Sequence, residues 1–110
     1  TGAGTTYNTT SDWRIKNNPQ PLPPSGGFID ALQPKFWTYT EDAGGGYGAG
    51  FIAHEFAEVN PRAVVGEKDA VDADGKPVLQ VLDASTAETI AHIVNELQSL
   101  RRRVAELEAA

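Results

Sequence analysis

The apolar residues of the C-terminal segment recur at gaps of 3, 4, 3, 4 and 3 residues. This spacing aligns them in one stripe along a helix and is the seam of a coiled coil. Ser85 and Glu88, three residues apart, form a capping box, so we predict a helix over residues 85–110. The seam consists of Ile90, Ile93, Leu97, Leu100, Val104 and Leu107.

The charges beside the seam indicate how such helices would pair. With Ile90 at heptad position a, Glu96 and Arg103 occupy g positions, and Arg101 and Glu108 occupy the following e positions. Across a parallel interface each g residue meets an e residue of opposite sign, which favours parallel self-association. Isoleucine at both core positions of the first heptad favours trimers, although leucine at both in the second weakens that preference. The alternative is an amphipathic helix that packs on its own domain.

The segments before this helix have the composition of extended chain and short elements. Residues 1–10 carry no charge and are rich in Thr and Gly, which suggests the end of an upstream β structure. Residues 17–27 contain four of the seven prolines and predict an extended arm, followed by a short helix at 28–32. Because the chain contains no Met, we expect it to be cut from a longer polypeptide.

Two hairpins and a second short helix are predicted in the middle of the chain. Alternating aromatic and β-branched residues at 35–40 and a second strand at 47–53 flank a glycine-rich turn. Residues 54–59 predict a helix that ends at Asn60-Pro61, and Asp74-Gly75 marks a further hairpin turn. We therefore expect an α+β fold: a small β-hairpin region, an extended N-terminal arm and a long C-terminal helix that forms a parallel trimeric coiled coil.

Composition argues against several classes of partner and cofactor. Nine basic and 15 acidic residues give a net charge of -6, which repels nucleic acid and anionic membrane surfaces. The chain has no Cys and no apolar run long enough for a membrane span. His54 and His92 fall in different elements, and we expect His92, at position c, to face solvent. The acidic run at 69–75 lacks the ligand order of an EF-hand. We therefore expect no metal, cofactor, nucleic acid or membrane partner.

Ser11 and Lys16 are the residues with the clearest potential for chemistry. A lysine that loses its proton can act as the base for a serine nucleophile. A separation of five places the two side chains about 140° apart on a helix and on opposite faces of a strand. Pairing therefore requires a bend, or a lysine from a neighbouring chain. Otherwise Ser11 or Asp12 would be a helix cap, and Lys16 a surface charge.

Three motifs together resemble a known family. The first is Ser11-Asp-Trp-Arg-Ile-Lys16 followed by Asn18, the second is the segment 28–39, and the third is Gly50-Phe-Ile-Ala-His-Glu-Phe-Ala-Glu-Val-Asn-Pro61. They resemble, in order, the SDxRxK start, the aromatic strand and the GFIAQE segment of the C-terminal intramolecular chaperone domain of phage endosialidases, tail spikes and tail fibres. The resemblance extends over about residues 11–107.

The resemblance implies a homotrimeric assembly domain, residues 11–110, that follows a β-helical fibre or enzyme in the same polypeptide. Such a domain promotes trimer formation and then cuts itself off as a single-turnover serine peptidase. The resemblance assigns the family's roles to the matching residues of this chain. The scissile bond would be Thr10-Ser11, with Ser11 as the nucleophile, Lys16 as the general base, and Asp12 and Arg14 supporting the loop. The chain would then be part of a phage virion precursor, assembled in the bacterial cytoplasm, with the domain released after maturation.

The sequence departs from the family pattern at two positions, and two other functions remain open. The family often has Gln where His54 stands and frequently a His where this chain has Gly48. One alternative is a non-cleaving trimerisation cap that stays on the fibre. The other is an acidic coiled-coil adaptor for a partner helix, which leaves the Ser11–Lys16 motif unexplained.

Overall fold

The computed structural model describes residues 10–82 and 86–110. Its helices are α1 (Gly26–Ala31), α2 (Ala53–Val59) and α3 (Thr86–Ala109), and its strands are β1 (Lys35–Thr38), β2 (Tyr47–Gly50), β3 (Val64–Val65) and β4 (Val81–Leu82). Short 3₁₀ turns lie at Trp13–Ile15, Glu41–Ala43 and Pro61–Ala63. The α+β class is confirmed. Residues 1–9 of the predicted upstream β segment and Ser85 of the predicted capping box lie outside the described residues.

Strands β1 and β2 form the predicted antiparallel hairpin, with Trp37 opposite Gly48. The Trp37 and Tyr39 rings meet edge to face at 5.9 Å on the side of Gly48. A Cβ at Gly48 would lie 2.5 Å from Trp37 Nε1 and 2.7 Å from Tyr39 Cε2. Only glycine fits this arrangement, so any larger residue at position 48 would have to displace the tryptophan.

A second, smaller hairpin follows helix α2. Strands β3 and β4 pair antiparallel, and Val71 forms an isolated bridge with Pro77. The turn between Val71 and Pro77 is closed by the Asp72 carboxylate. This carboxylate accepts hydrogen bonds from the backbone N–H groups of Asp74 and Lys76 at 2.8 and 3.0 Å. The predicted turn at Asp74-Gly75 is confirmed, and the Asp72 carboxylate stabilises it.

The hydrophobic core of the single chain is small. Among the described residues only Phe56 and Ala63 are buried apolar residues. The radius of gyration is 18.3 Å, against about 13 Å for a compact chain of this length. Many large apolar side chains of the described residues are exposed in the single chain, among them Trp13, Phe36 and Leu97.

Candidate active site and assembly face

Ser11 and Lys16 meet through a bend within one chain. The 3₁₀ turn Trp13–Ile15 reverses the local direction, with the Lys16 N–H donating to the Trp13 carbonyl at 3.1 Å. Lys16 Nζ then lies 2.5 Å from Ser11 Oγ and donates to it. The spacing allowed either a bend within one chain or a lysine from a neighbouring chain. The bend alone is sufficient for the contact between Ser11 and Lys16.

Asp12 holds this turn in place. Its backbone is extended, and its Oδ1 accepts from the Arg14 backbone N–H at 2.8 Å, as an N-cap residue does. The Arg14 guanidinium also grips the same carboxylate, with Nε 2.9 Å from Oδ1 and Nη2 2.8 Å from Oδ2. The side-chain bonds from Arg14, followed by its backbone bond, lower the pKa of Asp12, and the carboxylate raises the pKa of Arg14. Asp12 therefore caps the turn, as one alternative had it, and the same contacts bring Ser11 and Lys16 together.

The candidate active site is open to water in the single chain. Thr10, Ser11 and Lys16 are all exposed. Trp13 and Ile15 beside them are 78% and 64% exposed. A hydrated ammonium is a hydrogen-bond donor and not a base, because the proton must leave before the nitrogen can accept one. The chain therefore supplies the placement of the two groups, while general-base chemistry further requires a neutral lysine.

The third motif forms the packed centre of the chain. The Phe51 and Phe56 rings lie 5.2 Å apart, and Lys35 Nζ lies 2.6 Å from Glu55 Oε1, which ties the first hairpin to α2. Helix α2 ends at Asn60, as predicted. These residues support the fold, and no described bond joins them to Ser11 or Lys16.

All six seam residues of α3 are exposed in the single chain, by 42% to 76%. Helix α3 does contact its own chain, but it does so through a polar face that carries His92, Asn95 and Glu96. The alternative of an apolar face packed on its own domain is therefore wrong. The seam is left as a continuous stripe of exposed apolar side chains, the candidate for an assembly face.

His92 does not face solvent as predicted. Its side chain is only 16% exposed, its ring stacks on Phe28 at 4.0 Å, and its Nδ1 lies 2.8 Å from Ser25 Oγ. Asn95 completes this contact by donating to Ser25 Oγ and to the Pro23 carbonyl, both at 2.9 Å. Sequence reasoning missed these residues. The available signal was a stripe of uncharged polar groups at helical spacing opposite the seam.

Glu88 and Glu96 both have partners within the chain. Glu88 accepts from Asn60 Nδ2 at 3.0 Å and pairs with Arg62 at 3.1 Å, which fixes the first turns of α3 to the 3₁₀ turn at 61–63. Glu96 Oε2 lies 3.9 Å from Arg103 Nη1 of the same helix. The predicted contact between Glu96 and Arg101 of another chain stays a prediction.

In the part of the chain that the structure describes, no three acidic or histidine side chains are grouped in a way that could hold a metal ion. Within the same residues, no helix combines the length and apolar character needed to cross a membrane.

A comparison with protein families identifies a relationship for the first half of the chain. The model of peptidase S74, described as the chaperone of endosialidase, matches residues 11–65. The match begins at Ser11 and includes the Ser11–Lys16 turn, the first hairpin and α2, and it ends before the second hairpin closes. No curated protein matches the chain.

Proposed function

The chain belongs to the endosialidase-chaperone family, and from that premise we propose that it is an intramolecular chaperone that trimerises and then releases itself. Its client is an upstream β-helical domain of the same polypeptide, such as a phage tail fibre, tail spike or endosialidase. Release follows cleavage of the Thr10-Ser11 bond by Ser11 with Lys16. The observation that supports this most directly is the 2.5 Å contact between Lys16 Nζ and Ser11 Oγ at the start of the family match.

The proposed reaction uses only groups of this chain and water. Neutral Lys16 takes the Ser11 hydroxyl proton while Oγ attacks the Thr10 carbonyl carbon. The bond from that carbon to the Ser11 nitrogen breaks, the lysine returns the proton to the leaving amine, and Thr10 is left as an ester on Ser11 Oγ. Water then hydrolyses the ester, giving a Thr10 carboxylate and a fragment with a free amino group on Ser11.

Assembly would supply what the single chain lacks. A lysine ammonium normally titrates near ~10.4, and removal of water disfavours its charged form. The exposed Trp13 and Ile15 lie between Ser11 and Lys16 in the sequence and offer apolar surface to a neighbouring chain. Once that surface is covered, Lys16 is desolvated. Cleavage then waits for the trimer.

The assembly face supports a homotrimer with parallel α3 helices. Six exposed apolar side chains in one stripe need partners, and the e and g charges complement one another in a parallel arrangement. Registering three chains of a β-helix requires long loops to close before non-local contacts form. A short coiled coil brings the chains together first and so lowers that entropic barrier. The domain acts in a virion precursor in the bacterial cytoplasm.

Cleavage of the parent polypeptide tests the proposal. We expect the unmutated parent to release a fragment that begins at Ser11, and Ser11→Ala to release none. Lys16→Arg should cut at least about 100-fold more slowly, because a guanidinium does not deprotonate at accessible pH. Lys76→Arg, an exposed lysine in the second hairpin, is the matched control and should cleave normally.

Two outcomes would contradict the proposed chemistry. Release that persists in Ser11→Ala excludes Ser11 as the nucleophile. A trimeric parent that never releases the fragment favours the structural cap.

A further inference from the structure

The proline-rich arm is fastened to helix α3 by a set of contacts that the chemistry above does not use. Ser25 is 1% exposed and is the most buried side chain among the described residues. Its hydroxyl contacts His92 and Asn95, Asn95 also holds the Pro23 carbonyl, and Phe28 covers the His92 ring. We name this set, Pro23, Ser25, Phe28, His92 and Asn95, the arm latch.

Two of the arm-latch hydrogen bonds have a defined direction, because the Asn95 amide nitrogen can only donate to Ser25 Oγ and to the Pro23 carbonyl. The Ser25 hydroxyl also lies 2.8 Å from His92 Nδ1 and 3.5 Å from the Pro23 carbonyl. Ser25 donates to His92 Nδ1 when that nitrogen carries no proton. Because Ser25 is buried, a lost partner leaves a polar group without water, which costs more than the bond itself contributes. The latch therefore strongly favours one position of the arm.

The arm latch and the seam lie on different faces of α3. At 100° per residue, His92 and Asn95 are centred roughly 140° around the helix from the seam. A change in the latch therefore removes no seam side chain. Assembly and arm position can be varied separately.

The arm between the latch and Lys16 is a stiff spacer. Residues 17–24 include four prolines, which fix their own φ angles and restrict the residues before them. Proline-rich segments are extended and semi-rigid. Fixing Ser25 on α3 thus restricts where the Ser11–Lys16 turn can lie relative to the assembling helices.

We propose that Ser25 and Asn95 are positioning residues for self-cleavage. They hold the arm so that assembly brings the Ser11–Lys16 turn to its covered position. This rests on the proposed function above. Loosening the latch leaves the trimer intact but lets the turn sample unproductive positions. Misplacement of reacting groups by about 1 Å can cost 100-fold in rate.

The test compares cleavage, assembly and arm mobility in the parent polypeptide. Asn95→Ala and Ser25→Ala should each slow release about tenfold, and the double variant should be little slower than either, because both act through one latch. Gln98→Ala, an exposed neighbour on α3, should cleave at the unmutated rate. If Asn95→Ala folds poorly, Asn95→Asp replaces it in the test, because aspartate keeps the size of the side chain and removes the N–H donor.

Two further readouts separate the latch from a general structural role. In an uncleavable Ser11→Ala parent, molar mass should be unchanged by Asn95→Ala. The 110 residues contain no cysteine, so in a parent whose upstream cysteines are replaced, a spin label at Gln20→Cys reports the arm alone. Its motion should increase in Asn95→Ala and stay restricted in Gln98→Ala.

Three results would overturn the inference: unslowed release in both latch variants, a spin label as restricted with Asn95→Ala as without it, or a loss of molar mass in Asn95→Ala. If the unmutated parent does not cleave at all, the proposed function fails. The spin label then still shows whether the latch holds the arm.

Discussion

Truncation of Leu97 to alanine should weaken assembly strongly because the side chain lies near the middle of the seam. In the single chain Leu97 is 55% exposed, so slightly more than half of its surface remains to be buried on assembly. Complete burial of a leucine contributes about 1.5 to 3 kcal/mol. The remaining share is therefore about 0.8 to 1.7 kcal/mol per chain.

Three chains lose this contribution together. The trimer should be weakened by about 2.5 to 5 kcal/mol, which is roughly a 60-fold to 4,000-fold change in its dissociation constant. A cavity at the seam would add to this loss. Leu97→Asp, which would place charge at the same site, should dissociate the assembly completely.

Sedimentation equilibrium over a range of concentrations measures the effect. The matched control is Gln98→Ala, which removes a side chain of similar length at the next position, on a face away from the seam. We expect the control to match the unmutated chain. If Leu97→Ala dissociates at the same concentration as the control, the seam is not the interface, and a monomeric unmutated chain would refute the reasoning altogether.

Three further predictions concern the hairpin, the turn and the helix charges. Gly48→Ala should lower the free energy of unfolding, measured by chemical denaturation, by about 1 to 3 kcal/mol. The control is Gly27→Ala, which should be neutral or stabilising because a Cβ there meets nothing within 4 Å. Equal effects of the two substitutions would contradict the packing around Gly48. The carboxyl of Asp12 should titrate in NMR below its ordinary 3.8, so its ion pair supports the turn above that pH and is lost as pH falls through the lowered pKa; a midpoint at or above 3.8 would contradict it. Charge reversal at Glu96 or at Arg101 should weaken the trimer by about 0.2 to 1 kcal/mol, and reversal at both should restore it. A double reversal no more stable than either single one would contradict parallel helices.

Local sequence signals predicted most of the elements. Helix α3 follows from its apolar period, and both hairpins follow from glycine-containing turns between strand-forming runs. The short helix before Pro34 occupies Gly26–Ala31, two residues earlier than its predicted start at 28. Each of these features depends on residues that are near one another along the chain, and so the sequence pattern is informative.

The Ser11–Lys16 contact shows where periodicity fails. Regular helix and strand geometry separates the two side chains, and the bend that joins them depends on one aspartate that caps a three-residue turn. Composition and spacing alone favoured a surface lysine. The resemblance to the chaperone family supplied the pairing, and the structure shows how the chain makes it.

The arm latch could not be predicted for a different reason. Ser25 and Asn95 are 70 residues apart in sequence. A hydropathy pattern identifies which face of a helix is apolar, but it does not say which polar residues find partners. The prediction that His92 faces solvent is therefore wrong, because Ser25 and Phe28 cover its ring.

Assembled chains are proposed to cut their own Thr10-Ser11 bond. Native mass spectrometry of the purified parent, with N-terminal sequencing of whatever fragment it yields, tests this most directly. We expect the unmutated parent to yield a trimer of a fragment whose first residue is Ser11, and the Ser11→Ala parent to yield none. An intact parent, a fragment with another first residue, or a released fragment from Ser11→Ala would contradict it.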